Sequence, residues 1–141
     1  MRPTSVEKQM RAVESLQLKV SQFLDASGAD QAVIELQCLG SRAAARTRVR
    51  HGSQVEENVV PGDLVREAAG LRVVMAHPKG GAWTWAQFSM DADERRLATD
   101  FDYDRKPELD PPVTAADCAK ELKLFPRDPR ATPEWMAGHD R

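Results

Sequence analysis

From Val6 to Leu24 the apolar residues Val6, Met10, Val13, Leu16, Val20, Phe23 and Leu24 recur at helical spacing, with Leu18 off the stripe. Steps of three and four gather these side chains on one face of a helix. Thr4-Ser-Val-Glu7 has the spacing of a capping box at its start, and Gly28 supplies a stop. Between Ala32 and Leu39 the period shortens to two. Ile34, Leu36 and Cys38 share one face; Val33, Glu35, Gln37 and Leu39 share the other. After a turn at Gly40-Ser41, Arg42, Ala44, Arg46, Arg48 and Arg50 alternate with Ala43, Ala45, Thr47 and Val49. Small residues inward and arginines outward predict an antiparallel strand with one solvated side. His51-Gly-Ser ends it.

Pro61-Gly-Asp opens a second helix carrying Leu64, Ala68, Leu71 and Met75. Gly70 weakens that pattern, and Leu71 to Ala76 reads as helix or strand. Trp83 to Asp104 then forms a hairpin turning at Asp93-Glu94. Pairing sets Met90 against Leu97, Phe88 against Thr99, Ala86 against Phe101 and Thr84 against Tyr103 on the core face. The other face carries Trp83, Trp85, Gln87 and Ser89 opposite Asp104, Asp102, Asp100 and Ala98. A one-residue slip would mix the two sets. Phe88, Met90, Leu97 and Phe101 are therefore expected to be buried, and the carboxylates to face water.

Lys106 to Pro112 is too rich in proline for a helix or an inner strand. Thr114-Ala-Ala-Asp117 caps a short helix with Ala115, Cys118 and Leu122 inward. Thr132-Pro-Glu has the form of a further helix start, with Trp135 a structural plug on the body. The order helix, hairpin, helix, hairpin, helix predicts an α+β domain spanning 1–141. Its single antiparallel sheet has about four strands, with the helices packed on one face.

The 141 residues carry a net charge of −2, which gives no electrostatic support for binding nucleic acid. No apolar run approaches the roughly 20 residues of a membrane span, and the N-terminus lacks an apolar signal core. A cytoplasmic protein is expected. Cys38 and Cys118 have no metal-ligand spacing and read as two buried free thiols rather than a disulfide.

The chemistry of Asp100-Phe-Asp-Tyr-Asp104 decides the functional reading. A calcium loop would need glycine where Arg105 stands and glutamate where Pro111 stands. His51, His77 and His139 are isolated, and no phosphate loop, dinucleotide fingerprint or nucleophile elbow is present. Neither an enzyme, a cofactor nor a metal is expected. What remains is a partner-binding strip of Trp83, Trp85, Gln87, Asp100, Asp102 and Asp104, with tryptophan as anchor. Its competitor is an ion-pair lattice in which Arg46, Arg48 and Arg50 reach Asp100, Asp102 and Asp104.

The run Gly80-Gly-Ala-Trp-Thr-Trp-Ala-Gln-Phe-Ser-Met-Asp-Ala-Asp, then Phe101-Asp-Tyr-Asp104 and Pro107, resembles the YezG-like immunity proteins of bacterial polymorphic toxin systems. Glu121-Leu-Lys-Leu-Phe-Pro-Arg127 followed by Pro133-Glu-Trp-Met136 looks like the ending of their actinobacterial relatives. The family hairpin usually turns on an Asp-Gly-type pair, where this chain has Asp93-Glu94. The resemblance implies an antitoxin whose partner is a cognate toxin domain, a nuclease or an NAD-consuming enzyme. The alternative is a small homodimeric interaction domain in which acidic and arginine strips pair.

Overall fold

A computed structural model describes residues 5–137. Among them the chain runs α1 (Ser5–Ser27), β1 (Gln31–Leu39), β2 (Arg42–His51), β3 (Gln54–Glu57), α2 (Gly62–Val74), β4 (Trp85–Asp91), β5 (Ala98–Asp102), α3 (Ala115–Leu124) and α4 (Glu134–Ala137). A short 3-10 turn, Pro129–Ala131, precedes α4. The expected capping box at Thr4 and the isolated His139 lie outside the described residues.

The fold is α+β with one antiparallel sheet, in the order β3-β2-β1-β4-β5. It has five strands where about four were expected. The added strand, β3, continues β2 across a turn in which Gly52 has φ +62°, and all its residues are exposed. With neither face buried it carries no apolar alternation, so its sequence reads as loop. After α3 the chain adds an unexpected 3-10 turn and then α4, a short helix at the further start expected from Thr132-Pro-Glu.

Helices α1 and α2 cover one face. Leu16, Val20, Leu24, Leu64, Ala68 and Leu71 pack there on Ile34, Leu36, Cys38, Val49, Ala86, Phe88 and Met90. Leu71 ends as helix, not strand, because α2 continues to Val74. The apolar stripe of α1 is buried only in its second half; Val6 and Met10 stay exposed. With 23 residues against 13, α1 and α2 cannot cover each other along their full lengths. Gly28, at φ +70°, stops α1 and donates to the Leu24 carbonyl at 2.9 Å.

A second, smaller cluster closes one end of the sheet, where Leu39, Cys118 and Met136 are buried. Within α3 Ala115 is exposed and Leu122 half-buried, so Cys118 alone of the three expected inward residues is fully covered. The residue that accompanies it is Glu121, with no accessible surface. Both cysteines are buried and outside any disulfide, and burial pushes the Cys38 thiol above its ordinary pKa.

The start of α3 is a complete capping box. The Thr114 hydroxyl accepts from the Asp117 amide, and the Asp117 carboxylate accepts from the Thr114 amide. Asp117 also binds Arg42 at 2.7 Å. The Thr114 amide foremost, aided by Arg42, holds the Asp117 carboxyl below its usual pKa despite partial burial. A lowered folded-state pKa gives stability that is present above the unfolded value and lost as pH falls through the folded one. Thr114→Ala is expected to cost about 1 kcal/mol near neutral pH. The melting-temperature gap between the wild type and Asp117→Asn should shrink on acidification below about pH 4, the ordinary carboxylate value. A gap independent of pH would show that this carboxylate is not linked to folding.

Candidate functional site

The sheet face turned away from α1 and α2 gathers the side chains that alternation assigned to the outside. Registers between neighbouring strands align Arg46, Glu35, Gln87 and Asp100 in one row across β2, β1, β4 and β5. The rows beside it are Arg48, Val33, Ser89, Ala98 and Ala44, Gln37, Trp85, Asp102. The β4–β5 pairing matches the expected register from Trp85 with Asp102 to Ser89 with Ala98. Phe88, Met90 and Leu97 are buried as expected, while Phe101, on an edge strand, is half-buried.

Three strand spacings, about 14 Å, separate the arginine strand from the aspartate strand. The expected lattice between Arg46, Arg48, Arg50 and Asp100, Asp102, Asp104 is therefore not formed. The hairpins are neighbours, but they meet through β1 and β4, which leaves β2 and β5 on opposite sides. Among the described residues Arg46 and Arg48 make no ion pair, and Asp100 is exposed. The face is basic along one margin and acidic along the other.

Trp85 sits between them and is 7% exposed. Its indole Nε1 donates to Glu35 at 3.2 Å, and the Arg105 guanidinium lies 4.0 Å from the ring centroid. Arg105 is held in turn by Asp102, whose carboxylate lies 3.5 Å from its Nε and also accepts from the amides of Asp104 and Arg105. Trp85 is thus a covered ring with an arginine lid, not the open anchor expected. Gln87 and Asp102 are half-buried beside it.

Two expected members do not belong to this face. Trp83 has no accessible surface and packs in the core, its ring centroid 6.4 Å from Phe88 and 5.9 Å from Phe101. The cause is a bulge. Thr84 donates to the Asp102 carbonyl while Trp85 also pairs with Asp102, and the Thr84 carbonyl turns back to the Cys38 amide. Two residues opposite one reverse the alternation, so Trp83 and Trp85 point to opposite sides. Asp104 lies beyond the end of β5; its carbonyl accepts from Trp135 Nε1 at 2.8 Å, and its carboxylate is 3.5 Å from Arg127. It belongs to the docking of the C-terminal segment, where half-buried Trp135 acts as the expected plug.

The sequence reading missed Glu35 and Arg105, both of which now define the surroundings of Trp85. Arg105 stands three residues after Asp102, a spacing that a turn closes, and Glu35 is the one acid within an apolar strand. Among the described residues no group of His, Cys, Asp and Glu side chains converges to hold a metal ion, and no helix is long and apolar enough to cross a membrane. Compared with known protein families and with curated proteins, the chain matches no family model and no curated protein significantly.

Proposed function

We propose that this protein is an immunity protein that binds a cognate toxin domain, a nuclease or NAD-consuming enzyme, and occludes its active site. The observation that carries the reading is the sheet face turned away from α1 and α2, where Trp85 lies under Arg105 between margins of opposite charge. Enzymes acting on phosphate-bearing substrates have basic clefts, and the exposed Asp100 on β5, with Asp102 beside it, attracts such a cleft and speeds encounter. The exposed Arg105 guanidinium, stacked on the nearly covered Trp85 ring, offers a preorganised contact that the ring braces from beneath. Such inhibition needs no catalytic group and no cofactor, and a cytoplasmic site of action follows from it.

The test is binding to the toxin domain encoded beside this gene. Asp100→Asn with Asp102→Asn is expected to slow association and flatten its salt dependence. Trp85→Ala is expected to speed dissociation, at a cost of about 2 kcal/mol or more. Unchanged kinetics in both variants would place the interface elsewhere.

A second reading has its own observation. A two-fold axis parallel to the strands would lay the arginine margin of one copy on the aspartate margin of another, so the face is self-complementary. Sedimentation showing a concentration-dependent dimer that Asp100→Asn with Asp102→Asn abolishes would favour this homodimer.

A further inference from the structure

The sheet has an unfinished edge. β3 pairs with β2 only over Arg48 to His51, and Asn58 adds one bond to the Thr47 carbonyl at 3.1 Å. The remaining stretch of β2, from Arg42 to Thr47, has β1 on its inner side and, among the described residues, no strand on its outer side. That bond also fixes which groups point outward, because N–H and C=O of alternate residues face the same neighbour. Ala43, Ala45 and Thr47 face out; Arg42, Ala44 and Arg46 face β1. The amides of Ala43, Ala45 and Thr47 and the carbonyls of Ala43 and Ala45 therefore lack a backbone partner among the described residues.

Such an edge is a template for another strand, and folded proteins normally shorten, cover or charge it. This one is exposed from Ala43 to Arg46 and lined by three consecutive alanines, which put no bulk in the way of an incoming backbone. A hollow of about 570 Å³ lies beside it, lined by Glu35, Ala45, Arg46, Thr47, Arg48, Glu57 and Asn58. Arg46 and Arg48 project there on the bare face without ion pairs among the described residues, although Glu35 and Glu57 are their register partners.

Charge selects the occupant. Antiparallel self-pairing of two β2 edges centred on Ala44 sets Arg42 opposite Arg46 of the other copy, twice. Centred on Ala45, it would need the place beside Arg48 that Glu57 of β3 already holds. Like charges directly opposite destabilise a sheet, so a second β2 is disfavoured. We propose that the Ala43–Thr47 edge of β2 binds an extended acidic segment of a partner protein by strand addition, with a carboxylate opposite Arg46 and diagonal to Arg48, whose directly opposite place is held by Glu57. Main-chain bonds supply the affinity and the arginines the choice of partner. The inference stands whether or not the sheet face binds a toxin.

Amide hydrogen exchange of the full chain tests it, with short peptides alternating glutamate and valine or lysine and valine. The glutamate peptide is expected to slow exchange at Ala43, Ala45 and Thr47 on the order of tenfold, leaving Ala44 and Arg46 unchanged because β1 already protects them. Ala45→Pro removes an outward amide, which an edge strand tolerates, and should abolish the effect. Arg46→Glu, at an exposed position, should switch the preference to the lysine peptide and keeps the test alive if the proline variant misfolds. No slowing with the glutamate peptide, or equal slowing with both, would overturn the proposal. So would protection that rises with protein concentration alone, which would assign the edge to a second copy.

Discussion

Replacing Glu121 with glutamine is expected to lower stability by about 3–5 kcal/mol, the cost of leaving one member of a buried ion pair without its partner. Glu121 and Arg72 are both buried, the first completely. One Glu121 oxygen accepts from Arg72 Nη2 and from the Gly40 amide, the latter at 2.8 Å. Arg72 Nε donates to the Trp83 carbonyl at 2.7 Å, and its guanidinium carbon lies 4.8 Å from the Phe125 ring centroid. This pair therefore ties α2, α3, the β1–β2 turn and the segment leading into β4. Glutamine keeps the shape and can still accept from Gly40, so the variant isolates the loss of charge. The measurement is a urea unfolding curve, in which the midpoint falls while the slope holds. The double replacement Arg72→Met with Glu121→Leu removes both charges and should recover part of the loss, the rest reflecting the Gly40 amide and Trp83 carbonyl left without these partners. A single-variant loss under about 1 kcal/mol would mean that Arg72 reaches water or another acceptor.

Nothing in the local pattern announces this pair. Arg72 and Glu121 lie on helices whose other charged residues are mostly solvated, and 49 positions separate them. Only the packing of α3 against the end of the sheet brings them together, and that is long-range information. The same division runs through the rest of the molecule. The β1–β2 and β4–β5 pairings were legible because each joins neighbouring segments, and each has one apolar face that a slip would expose. Strand order was not legible. Pairing β1 with β4 leaves the arginine and aspartate strands at a distance, and nothing within either hairpin dictates it. The Trp85 surface was partly legible, since alternation placed Gln87, Asp100 and Asp102 beside it. Its arginine lid was not, because Arg105 depends on how the chain turns after β5.

Trp83 and Trp85 are the sharpest case, and they separate in the second large expected effect. Trp83→Ala should cost about 3–5 kcal/mol, the range for emptying a core aromatic site. The side chain has no accessible surface and contacts Phe88 and Phe101, which are themselves 5.7 Å apart in an edge arrangement. Those three rings join β4 and the segment before it to β5, and each well-oriented pair adds roughly 0.5–1.5 kcal/mol beyond burial. The indole N–H of Trp83 has no hydrogen-bond partner among the described residues. Trp83→Phe keeps an aromatic ring and deletes that orphan donor, so it should cost clearly less than the alanine variant. Trp85→Ala, by contrast, removes a ring held at the sheet surface by Glu35 and Arg105, and its main effect should fall on partner dissociation. Thermal melts of the three variants decide the matter. If Trp85→Ala lowered the melting temperature as much as Trp83→Ala, the bulge at Thr84 would not separate a core ring from a surface ring. The surface role of Trp85 would then fall, and with it the assignment of the bare face as the site of partner binding.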